Sequence, residues 1–153
     1  MNKLILCEGK TDAILLSYYL GRVANWKFAK KGPSGLKIQS PSNNESINWY
    51  KKDEDYLLIC GVGGKDNFGN FFAQRIKNPL VTTDAFEKIV IITDRDEREV
   101  NDICTALLED MAGFFTNIQD RKWCENSYRN AFGIKKNLRL LLVTKTSHTD
   151  TVY

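Results

Sequence analysis

The chain reads as an α/β domain on a mainly parallel sheet, and two observations carry that reading. Short apolar runs at residues 3–7, 56–60, 89–93 and 138–144 have the length of strands. The run 89–93 is dense in β-branched residues, as in a strand buried on both faces. Between the runs lie stretches with apolar residues at helical spacing. Strands that alternate with helices predict βαβ units. At 153 residues, 42% apolar and 27% charged, the chain has room for one domain with a real core.

The first strand, 3–7, runs into Glu8-Gly9-Lys10-Thr11-Asp12. Gly9 permits a tight turn, and Thr11 or Asp12 can cap the next helix. That helix carries Ala13, Ile14, Leu15, Leu16, Tyr18, Tyr19 and Leu20, and Gly21 is placed to end it. Residues 22–55 read as an insertion rich in turns, with Gly32-Pro33-Ser34-Gly35 and Ser40-Pro41-Ser42-Asn43-Asn44. Its lysines, among them Lys27, Lys30 and Lys31, interleave with Trp26 and Phe28. Such a mix can hold single-stranded nucleic acid, although a solvated insertion with docked aromatics explains it as well.

The second strand, 56–60, runs into Gly61-Val62-Gly63-Gly64-Lys65-Asp66. Gly61, Gly63 and Gly64 let backbone N–H groups approach an anion, so a phosphate-facing loop and a plain tight turn are both open. A P-loop fails at Ile59 and Asp66, and a dinucleotide fingerprint fails at Asp66. A helix through Phe68, Phe71, Phe72, Arg75 and Ile76 is expected to end before Pro79. The third strand ends on Asp94-Arg95-Asp96, and a helix over 97–111 follows. Residues 121–131 are read as helical, 138–144 as the fourth strand and 146–153 as a tail.

In an extended chain, residues i and i+2 share a side, so Asp94 and Asp96 are expected to aim at one spot. Two close carboxylates repel, and a hard cation such as Mg²⁺ or Mn²⁺ offsets that repulsion. Ligands of open parallel sheets bind outside the carboxyl ends of the strands. Glu8, the glycine loop and the aspartates all lie at such ends. The expectation is therefore one edge bearing Glu8, Asp94 and Asp96, with Lys10 and Lys65 near phosphate oxygens. The simpler alternative is that the aspartates cap the next helix and Glu8 is a surface acid.

The net charge of +3 does not by itself argue for nucleic acid. No apolar run reaches the ~20 residues of a membrane span, and the amino terminus does not read as a signal peptide. Cys7, Cys60, Cys104 and Cys124 lack C-x-x-C spacing, and the single His148 is a poor start for a zinc site. Reduced thiols in a cytoplasmic protein are expected.

Glu8-Gly9-Lys10-Thr11-Asp12 after a strand, a later glycine turn, and Asp94-Arg95-Asp96 after another strand resemble the Toprim domain. Topoisomerases, bacterial primases, OLD-family nucleases and the ribonuclease that matures 5S ribosomal RNA share it. The resemblance implies a Rossmann-like fold with about four mainly parallel strands flanked by helices. It implies Glu8 as general acid/base or metal ligand, Asp94 and Asp96 as Mg²⁺ ligands, and Asp12 as the trailing acid of the nuclease branch. Two departures stand out. Glu97-Arg98-Glu99 follow where many relatives have a glycine, and Arg98 stands where type II topoisomerases place a third aspartate. A small stand-alone Toprim-like protein, or a piece of a longer one, fits best.

The functional expectation is Mg²⁺-dependent phosphodiester hydrolysis or nucleotidyl transfer on DNA or RNA. The alternative is a non-catalytic module that binds a metal-bound nucleotide, a nucleic-acid end, a second copy of itself or another protein. A haloacid-dehalogenase-type phosphatase also has Asp-x-Asp after a strand. It needs Thr or Val where Arg98 stands.

Overall fold

The computed structural model of the chain describes residues 1–111 and 113–146. Among these residues seven strands form one mixed sheet: β1 (Asn2–Cys7), β2 (Lys27–Ala29), β3 (Ser46–Lys52), β4 (Asp55–Gly61), β5 (Lys88–Asp94), β6 (Cys124–Arg129) and β7 (Lys135–Lys145). Their order is β2-β3-β4-β1-β5-β7-β6. The four strands expected from the sequence are its centre: β4, β1, β5 and β7 run parallel. β3 joins β4, β2 joins β3, and β6 joins β7, all antiparallel.

Three expectations are corrected. The insertion is not only loop: its two strands, β2 and β3, extend the sheet on one side. Residues 121–131 are not helical. β6 alternates buried Cys124, Asn126 and Tyr128 with exposed Glu125, Ser127 and Arg129, a period of two that follows a half-covered strand. The helix through Phe71 does not stop before Pro79. It runs as α2 (Phe68–Phe71), a π-helical segment (Phe72–Ile76) and α3 (Lys77–Thr83). The wider turn restarts the helix, so Pro79 falls in the first turn of α3, where a missing N–H costs little. The expected tail coincides with the described residues only at Thr146; His148 lies outside them.

The other two helices are α1 (Lys10–Ala24) and α4 (Val100–Asp110). α1 runs past Gly21 and ends at Asn25, which takes a left-handed φ of 61°. Phe68, Phe71, Phe72, Ile76, Ile103 and Leu107 pack with Leu4, Leu6, Ile89 and Ile91 on one sheet face. α1 packs on the other face through Ala13, Leu16 and Leu20, against Leu57 and Ile59. On that second face Val90, Ile92, Leu141 and Val143 are only half-buried. No described helix is long and apolar enough to cross a membrane. The four cysteines are free thiols, and burial, with Asp12 adding to it, pushes Cys7 up to about 12.

Candidate active site at the carboxyl edge of the sheet

Strand order decides whether the acids meet. β1 hydrogen-bonds to β5 on one side and β4 on the other, with Cys7 level with Ile92 and with Gly61. Glu8, the glycine loop and Asp94 therefore emerge side by side.

Glu8 is held through both its backbone and its side chain. Its Oε2 accepts a hydrogen bond from the Thr93 hydroxyl at 2.7 Å and another from the Asp94 amide. Its carbonyl accepts the Gly63 and Gly64 amides at 3.0 and 2.7 Å. Both glycines have positive φ, 93° and 122°, which L-residues rarely adopt. Gly61 meets a different demand. A Cβ there would lie 2.7 Å from the Gly9 carbonyl carbon and oxygen, so only glycine lets β4 end against the start of α1.

Of the two readings left open for Gly61, Gly63 and Gly64, the hydrogen bonds favour the tight turn, because all three amides have partners within the chain. The Gly61 amide is bonded to Ser46 Oγ at 3.2 Å, and the other two serve Glu8. The loop is a buttress for the Glu8 backbone.

Asp12 sits in the first turn of α1, where its Oδ2 accepts the Gly9 amide at 3.3 Å. Its other oxygen lies 3.5 Å from Lys145 Nζ, which is also 3.4 Å from Asp94 Oδ1. Lys145 is level with Asp94 in the β5–β7 ladder, so its neighbour is fixed by register. Burial works against its charge, but Asp12 and Asp94 outweigh that and hold the ammonium above the ordinary lysine value.

Asp96 does not share the strand geometry of Asp94. β5 stops at Asp94, and Asp96 takes a left-handed φ of 53°. The i, i+2 argument fails there because the chain has already turned. Asp96 Oδ2 instead meets Lys65 Nζ at 2.9 Å. That hydrogen bond, with the attraction between the charges, lowers the Asp96 carboxyl and raises the Lys65 ammonium. Arg98 pins the turn by donating to the Asp94 carbonyl at 2.7 Å. Lys65, Thr93 and Arg98 line a cleft of about 160 Å³ beside the edge.

The remaining candidates divide. Lys10 is exposed at the first position of α1, on the same edge. Lys27, Lys30 and Lys31 are exposed on and just after β2, with β3 and β4 between them and β1. The structure does not join them to the acids.

Among the described residues no three His, Cys, Asp or Glu side chains converge as a ready metal site. The donors suit Mg²⁺ or Mn²⁺ chemically, because all are carboxylate oxygens. Their present partners are cations of this chain: Lys145 for Asp12 and Asp94, Lys65 for Asp96. Sequence reasoning missed Lys145, and it singled out Arg98 only as a departure, not as the residue that holds the turn. Lys145 closes the fourth strand, which was the signal available, but its neighbour depends on strand order.

No family model matches the chain, and no curated protein matches it. A solved structure, that of a hypothetical protein from Pyrococcus horikoshii OT3, is similar to it with a TM-score of 0.55 at 20% identity. The similarity covers 92% of this chain and 54% of that one, so the chain spans about half the length of the protein it resembles. At that identity the likeness speaks for the fold: an α/β sheet flanked by helices.

Proposed function

We propose that the chain is a Toprim-type domain that hydrolyses phosphodiester bonds of nucleic acid with a divalent cation, Mg²⁺ or Mn²⁺, at the Glu8–Asp94 edge. One observation carries this reading: β1 and β5 are neighbours, and the Glu8 carboxylate lies against the Asp94 amide. The cation would be held by Glu8, Asp94 and Asp96, with Asp12 beside them. Bound there, it supplies Lewis-acid polarisation of a phosphoryl oxygen and a more acidic water.

The chain's own groups have the following roles. Glu8, fixed by Thr93 and the glycine loop, accepts a proton from the attacking water. Lys65 and Lys145, paired here with Asp96 and Asp94, would be free to turn to phosphate oxygens were those carboxylates to hold the cation, with Lys10 at the rim. Arg98 holds the turn that carries Asp96.

A second reading has its own support. Each acid of the edge already has an internal partner, as a neutralised binding module would. Such a module would take a metal-bound nucleotide or a nucleic-acid end without turnover.

Incubation with labelled RNA and single-stranded DNA in Mg²⁺ or Mn²⁺ separates the two. The catalytic reading expects cleavage that falls at least about 100-fold in Glu8→Gln and in Asp94→Asn. Cleavage that survives both substitutions rules out this site. Metal-dependent binding without any cleavage favours the module.

A further inference from the structure

The opposite end of the sheet carries a second built feature. Lys3, second in β1, and Lys88, first in β5, are level in the ladder and face the α1 side. Lys3 Nζ lies 5.7 Å from the Trp26 ring centroid, and Lys88 Nζ 5.6 Å from that of Trp123. The two indoles and two ammonium groups line a pocket of about 210 Å³ whose floor includes Ile5 and Val90. Trp123 is 41% exposed, although it is among the largest apolar side chains. Among the described residues Lys88 has no carboxylate within ion-pair distance, and Lys3 has only Asp55, at 3.9 Å.

The chemistry of the pocket narrows its ligand. Two indoles over an apolar floor suit a flat aromatic group. Two ammonium groups there favour an anion over a purely apolar ligand. A nucleobase with its phosphate satisfies both conditions. A base inside a duplex is already stacked and cannot enter, so the ligand must be unpaired.

Position adds the third constraint. Residues 88, 90, 92 and 94 alternate onto one face of β5, so the pocket and the Asp94 side chain share that face. Six residues of strand separate Lys88 from Asp94, about 20 Å at ~3.3 Å per residue. The half-buried Val90 and Ile92 lie along that path.

We propose that this pocket stacks an unpaired base of single-stranded nucleic acid whose backbone follows β5 to the acid edge, with Lys3 and Lys88 on its phosphate. The inference rests on the reading of that edge as a phosphodiester site. It supplies the substrate class, a single strand, and a contact a few nucleotides from the scissile bond.

The test is fluorescence anisotropy of end-labelled oligothymidylate and oligouridylate of about eight nucleotides, in EDTA, so that cleavage plays no part. Saturable binding of one or both is expected, weakened at least tenfold by Trp123→Ala and by Lys88→Ala. Trp26→Phe, which keeps a ring and spares the packing beneath α1, is expected to bind within about threefold of the parent. Absence of binding by the parent overturns the proposal. So does affinity that is undiminished in both Trp123→Ala and Lys88→Ala. Unlabelled thymidine monophosphate that competes as tightly as the unlabelled oligonucleotide overturns the single-strand assignment. Binding that behaves as expected in a protein that never cleaves sinks the catalytic reading and leaves the pocket standing.

Discussion

Gly61 shows how one side chain can decide the geometry of the acid edge. A methyl group there would press on the Gly9 carbonyl, which is backbone and cannot rotate away. Gly61→Ala is expected to cost about 1–3 kcal/mol in urea denaturation, the usual penalty for forcing atoms into a packed position. It should also loosen Glu8. Lys145 makes a different prediction. Lys145→Gln leaves Asp12 and Asp94 without their cation, and the half-exposed pairs are worth no more than about 1 kcal/mol. The variant should therefore fold, and millimolar Mn²⁺ should raise its Tm more than that of the parent. An equal or smaller rise would mean that Lys145 and the metal do not compete. Glu8, Asp94 and Asp96 were legible as candidates from their places after strands. The left-handed turn at Asp96 was not, since nothing in Asp-Arg-Asp-Glu fixes where β5 stops.

Among the elements, the loop before β3 is fastened to the helical layer by a buried ion pair. Arg75 donates to Glu45 Oε1 at 3.0 Å, and the two are 7% and 8% exposed. Burial acts to raise the Glu45 carboxyl, but the Ser42 amide and Arg75 outweigh it and hold the carboxyl below its ordinary value. A carboxyl lowered on folding stabilises the fold above its unfolded value. That stability is lost as pH falls through the folded value. Stability should thus decline on the acid side, and Arg75→Met should flatten the decline. The same change leaves Glu45 buried without its cation and should cost about 3–5 kcal/mol at neutral pH. Chemical denaturation across pH measures both effects. Arg75 was legible only as a residue on a helix, because its partner lies thirty positions away in a stretch read as insertion. β6 was misread for a related reason. Its buried residues include Asn126, whose side chain bonds the Thr116 and Asn117 amides, so a polar side chain occupies an inward position. An apolar count does not register that alternation.

For the whole molecule, the four parallel strands at the centre could be read from the sequence because each contains a dense apolar run, with one face buried in all four and both faces buried in β4. The three antiparallel strands could not, since partly covered strands are mixed in composition. Strand order was also hidden, and the proposed function depends on it: only with β1 beside β5 do Glu8 and Asp94 become neighbours. What we propose for this edge is that Glu8 and Asp94, once Lys145 moves aside, bind one divalent ion together. Mn²⁺ titration followed by electron paramagnetic resonance tests it most directly. The account predicts saturable binding by the parent, at least about tenfold weaker in the Glu8→Gln, Asp94→Asn double variant. Binding that is absent in the parent, or equally tight in the double variant, would contradict it.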